Sequence, residues 1–131
     1  MSQRNWLEIL GWDKTKVDDL RYVAYSYIKQ GGYDIALTFF DAITILTHPN
    51  AYDLQTLGAL HLQLGNSLKA LEYLDKALTL EPAHYPTQLN RAKVLFMLGY
   101  KKQAIQQAEE LTHCPDKEIG AAANALLLGY R

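Results

Sequence analysis

Four histidines, one cysteine and two acidic doublets are the residues of this 131-residue sequence best equipped for catalysis or metal binding. His48, His61, His84 and His113 are scattered over separate stretches, and only His113-Cys114 sets two such groups side by side. A metal site needs three or four ligands at short, regular spacing, and a nucleophile needs a base and an orienting group. His113-Cys114 has no third partner at a recognisable spacing. Asp18-Asp19 and Glu109-Glu110 read as solvated helix faces rather than as a paired acid and base. The P-loop, the dinucleotide glycine pattern, H-E-x-x-H and C-x-x-C do not occur in the sequence. The expectation is a protein that is not an enzyme and holds no cofactor and no metal.

The elements that would position these residues repeat along the chain. Gly31, Gly65 and Gly99 are spaced 34 residues apart, as are Ala36, Ala70 and Ala104. Upstream, Ala24, Gly58 and Ala92 keep the same interval. Each Ala of the second set precedes an aliphatic residue: Leu37, Leu71 or Ile105. Columns of small residues at a fixed period are the mark of a repeated helical hairpin, because antiparallel helices approach closely only where side chains are short. The glycines fall where each first helix must end, a position that favours a left-handed cap. Apolar spacing predicts helices near 17–30, 34–47, 51–64, 68–80, 85–98 and 102–113, with a further one near 117–128. Asn50 and Asp53 suit a capping box, Asp116 a cap, and Glu72 with Lys76 an i,i+4 ion pair. No segment alternates as a strand, so the fold class is all-α.

Three hairpins are expected at 17–50, 51–84 and 85–118, preceded by an N-terminal helical extension at 1–16 and followed by a C-terminal capping helix at 119–131. Stacked units need covers at both ends. The Ala/Leu-rich final segment suits one end, and a short apolar helix with Trp6, Leu7, Ile9 and Leu10 suits the other, or a partner.

Hydrophobic residues make up 49% and charged residues 21%, which favours a folded domain. The net charge of −1 and the lack of a basic cluster argue against nucleic-acid binding. One cysteine fits a reducing compartment, and neither a signal segment nor a membrane-spanning run is visible. The expected location is cytoplasmic.

The second unit, Ala51 to His84, resembles a tetratricopeptide repeat at Leu54, Leu57, Gly58, Gly65, Ala70, Ala77 and Pro82. The first and third units are looser, with Ile43 and Leu111 where that family usually has a small residue. A narrower likeness is to the small repeat chaperones of type III secretion, carried by Tyr27, Gly31, Tyr33, Ala36, Phe40, Leu57, Gly58 and Ala59. That resemblance implies a chaperone that holds a translocator or needle subunit before export, by masking an apolar segment. It also implies a homodimer or a co-chaperone as a further partner. The extension ahead of the first unit is shorter than translocator chaperones usually have, which keeps the needle-subunit class open.

In such stacks the first helices of each pair line an inner, concave side. The repeat register places Arg21, Tyr25, Ile28, Tyr52, Gln55, Ala59, Leu62, Leu89, Lys93, Phe96 and Met97 there. This peptide-binding groove is expected to be apolar and aromatic, with cations near its ends. For any one of these side chains the alternative is packing against a neighbouring helix or the terminal helix. The carboxylate clamp that other such repeats use on acidic tails is missing, since its places hold Arg21, Tyr25, Thr56, Pro86 and Asn90. A repeat adaptor that scaffolds a complex through its convex or N-terminal surface is the second functional reading.

Overall fold

A computed structural model describes residues 6–130. It contains α1 (Trp6–Leu10), α2 (Lys14–Lys29), α3 (Tyr33–Leu46), α4 (Ala51–Gln63), α5 (Ser67–Leu80), α6 (Tyr85–Leu98), α7 (Lys101–Leu111) and α8 (Lys117–Tyr130). Among the described residues there is no strand, and the architecture is all-helical. Helices α2/α3, α4/α5 and α6/α7 form hairpins, which stack through α3 on α4 and α5 on α6. Helix α8 packs on both α7 and α6, and α1 touches α3.

The small-residue columns are the hairpin crossings. Ala24, Ala36, Ala70, Ala92 and Ala104 are completely buried. At Gly58 the approach is closest: a Cβ placed there would lie 2.6 Å from Leu74 Cδ2 and 3.3 Å from the Ala70 carbonyl oxygen. The three glycines of the other column have φ of 81°, 82° and 85°, so each first helix turns off through a left-handed residue. Phe40, Leu57, Leu74 and Leu95 fill the space between the helices and are essentially inaccessible. Each such side chain contributes about 1.5–3 kcal/mol.

Helix ends follow local chemistry, and three differ from the periodicity by two residues or more, α8 running on to Tyr130 rather than 128. Helix α2 begins at Lys14 rather than 17, because Asp13 caps it by accepting the Lys16 N–H at 3.3 Å. Helix α7 stops at Leu111, two residues short of 113. Asn50 and Asp53 form a reciprocal capping box at α4, and Asp116 accepts the Glu118 and Ile119 N–H groups at α8. Residues 1–5 of the expected N-terminal extension and Arg131 of the expected capping segment lie outside the described residues.

Candidate functional site

Helices α2, α4 and α6 carry all eleven side chains assigned to the groove, and the structure sorts them by environment. Tyr52 (59% exposed) and Met97 (52%) are open to solvent. Arg21, Tyr25, Ile28, Gln55, Ala59, Leu62 and Lys93 are half-buried. Leu89 and Phe96 are buried.

At the N-terminal end the residues form a connected polar and aromatic cluster. Arg21 Nε donates to Asp53 Oδ1 at 2.9 Å and Nη2 to Oδ2 at 2.7 Å, a two-pronged pair that ties α2 to α4. Its Nη1 also donates to Asp18 at 3.0 Å. The hydrogen bonds to Asp53 outweigh partial burial and raise the guanidinium pKa above its ordinary value. Asp53 is 1% exposed and accepts the Asn50 N–H as well, so a carboxylate cut off from water is satisfied by three donors. A guanidinium fork matches a carboxylate in this way, and an ammonium would not. Arg21 therefore serves as a strut between α2 and α4 before it serves as a surface charge.

Next to it, the Tyr25 ring meets Phe40 edge-on at 5.4 Å and Tyr52 edge-on at 6.2 Å. The Tyr25 hydroxyl lies 3.3 Å from Thr56 Oγ1, which donates to the Tyr52 carbonyl at 2.9 Å. Burial pushes the Tyr25 phenol pKa up, against the opposing Thr56 hydrogen bond. Tyr25 is thus fixed by packing on one side, while Tyr52 extends from it into solvent. An aromatic ring held at one edge and open on a face contributes contact area at low entropic cost. Beside Tyr52, Ala51, Ala77, Glu81, His84 and Thr87 line a small recess in which His84 Nδ1 sits 2.6 Å from Thr87 Oγ1.

At the C-terminal end α8 sets the boundary. Leu89 packs with Leu111 and Ala123, flanked by Ile119 and Ala122. Phe96 packs with Leu127 and lies face to face with Tyr130, ring centroids 4.4 Å apart. Sequence reasoning named neither Asp53 nor Thr56 as a partner of the groove residues. It also missed Tyr130, although Tyr130 follows Phe96 by the 34-residue period.

The other candidate groups have structural surroundings. His61 is 8% exposed and stacks on Tyr73 at 5.4 Å, nearly parallel. Its pKa is lowered, chiefly by burial and also by Lys69, with Asp41 and Glu72 opposing. Cys114 donates to the Asp116 carbonyl oxygen at 3.3 Å. Among the described residues no three His, Cys, Asp or Glu side chains gather as a metal site, and no helix is long and apolar enough to cross a membrane.

A separate apolar recess of about 340 Å³ lies on the first unit. It is lined by Leu10, Trp12, Leu20, Phe39, Ala42 and Ile45, among other side chains. Of its lining, Leu10 and Ile45 are 47% and 56% exposed.

Comparison with known proteins agrees with this architecture. The tetratricopeptide-repeat family profile matches residues 54–84, the hairpin of α4 and α5. No curated protein matches the sequence. Among solved structures, PcrH in complex with the chaperone binding region of PopB has a TM-score of 0.78 at 21% identity, over 88% of this chain and 98% of that one. PcrH is from Pseudomonas aeruginosa. PcrH with the chaperone binding region of PopD gives 0.80 at 21% identity, over 92% and 94%. The type III secretion translocator chaperone SycD of Yersinia enterocolitica gives 0.77 at 17% identity, over 98% and 99%.

Proposed function

We propose that this chain is a type III secretion chaperone that binds an apolar segment of an export substrate along α2, α4 and α6 and masks it until export. The observation that carries the reading is the solvent-open Tyr52 and Met97, with half-buried Ala59 and Leu62, on the first helices of the second and third hairpins. It is supported by a fold shared over nearly the whole chain with PcrH, which is solved holding chaperone binding regions of PopB and PopD. The resemblance to SycD, described as a translocator chaperone, favours a translocator subunit over a needle subunit as the substrate.

The mechanism is burial and steric masking in the cytoplasm, without nucleotide, metal or catalysis. An aggregation-prone segment gains a dry partner, and each anchored side chain contributes about 1.5–3 kcal/mol. Association entropy removes several kcal/mol of that, so stable capture takes several anchors together. The Arg21–Asp53 strut holds α2 and α4 in place beforehand, which lowers the ordering cost of binding.

The test is co-expression with a hydrophobic translocator subunit from the same genome, followed by co-purification and a solubility assay. The wild-type chain should keep the subunit soluble in a stable complex. Tyr52→Ala and Met97→Ala should each weaken capture roughly tenfold or more while the helical content stays unchanged. An insoluble subunit, or variants that bind as well as wild type, would end the proposal.

The apolar recess of the first unit supports the second reading, an adaptor surface, or a face where a second copy or co-chaperone docks. Loss of a complex on substituting Trp12 and Ile45, with no effect of Tyr52→Ala, would favour it.

A further inference from the structure

The aromatic pair at the C-terminal end is unequal. Phe96 is 7% exposed and Tyr130 is 45% exposed, although their rings stack at 4.4 Å with only 15° between planes. Phe96 belongs to one buried cluster with Ala92, Leu95, Ala104, Ala108 and Leu127. The face of Phe96 that stacks on Tyr130 is a flat apolar seat, and a half-exposed ring lies over it.

That ring is weakly held. Tyr130 stands in the last turn of α8, directly after Gly129. Glycine makes a helix less stable than alanine would. A Cβ built at Gly129 would meet nothing within 4 Å, so close packing does not demand the glycine. Tyr130 also continues a row: Ile28, Leu62, Phe96 and Tyr130 follow one another at 34-residue intervals. Three of these are assigned to the groove, so the cover lies at the groove's own end.

We propose that Tyr130 is a displaceable cover over an aromatic-binding subsite on Phe96, and that an aromatic side chain of the bound segment takes its place. The inference rests on the groove reading given above and specifies the chemistry at one end of it. In the free chain the internal tyrosine protects Phe96 from water. On binding, the last turn of α8 loosens, Tyr130 leaves, and a partner ring stacks on Phe96 against Leu127. A segment with no aromatic residue at that place would leave the cover shut and bind through the remaining positions.

The experiment uses the full chain and p-cresol, the side-chain analogue of tyrosine, titrated while Phe96 and Leu127 resonances are followed by NMR. Tyr130→Ala should bind p-cresol at the seat about threefold to tenfold more tightly than wild type, and Tyr130→Phe should match wild type. Gly129→Ala, which firms the last turn, should weaken p-cresol binding about twofold to fivefold, and it tests the same idea if Tyr130→Ala does not fold. Equal titration of Tyr130→Ala and wild type, absence of any Phe96 shift in Tyr130→Ala, or unchanged binding in Gly129→Ala would overturn the proposal. These measurements need no protein partner. Failure here leaves capture of the translocator subunit untouched, and failure of capture leaves the p-cresol result standing.

Discussion

Gly58 offers the sharpest check on how the repeats are built. Replacing it with alanine puts a methyl group 2.6 Å from Leu74 Cδ2 and 2.7 Å from its Cγ, with the Ala70 carbonyl oxygen 3.3 Å behind. Leu74 is completely buried and cannot swing into solvent. Overpacking of this kind costs about 1–3 kcal/mol. The same change removes a glycine from the interior of α4, which returns about 0.5–1 kcal/mol. The net expectation is a loss of up to about 2.5 kcal/mol, and for a chain this size each kcal/mol lowers Tm by about 3–5 °C.

A double-mutant cycle isolates the cause. Leu74→Ala alone should cost about 2–5 kcal/mol through its cavity. In the Gly58→Ala/Leu74→Ala chain the clash is gone, so the pair should cost at least about 1 kcal/mol less than the sum of the single changes. Urea unfolding monitored by circular dichroism supplies all four stabilities. A Gly58→Ala chain more stable than wild type, or strict additivity, would refute the claim that α4 and α5 are in contact through this glycine. The column of small residues would then need another explanation.

Further outcomes follow from the same geometry. Gly65→Ala should cost about 1–2 kcal/mol although nothing lies within 4 Å of the added Cβ, because φ is +82°; thermal unfolding checks this. Arg21→Met leaves Asp53 buried with only its capping contact, and should destabilise the chain by about 2–4 kcal/mol, below the full cost of a buried pair because Arg21 is partly exposed. Asp53→Asn in that background should recover part of the loss, and urea midpoints would show it. For His61 the pKa is lower in the folded chain than the ordinary 6.5, so the unfolded chain binds the proton more readily. Its contribution to stability is complete above about pH 6.5 and falls away as pH drops through the folded pKa. Urea midpoints should therefore decline as pH falls below about 6.5, and His61→Phe should flatten the decline.

The repeat was legible because its signals are local or strictly periodic. A left-handed cap needs glycine whatever surrounds it, and the 34-residue interval puts Gly31, Gly65 and Gly99 at three equivalent helix ends. The Asn50–Asp53 cap and the Glu72–Lys76 pair were readable for the same reason, since three- and four-residue spacings act within one helix.

The surroundings of the residues assigned to the groove were only partly legible. Periodicity says which face of a helix looks inward, and it is silent on what another helix lays over that face. Leu89 and Phe96 hold inward register positions, yet α8 covers them through Ala123, Leu127 and Tyr130. Arg21 holds another, yet a carboxylate 32 residues further on takes its guanidinium. In both cases the deciding partner is distant in sequence, and only folding brings it close. Helix, cap and period were thus determined along the chain by itself. Which inward side chains remain open to a partner was decided by tertiary packing, because exposure depends on neighbours that a linear pattern does not name.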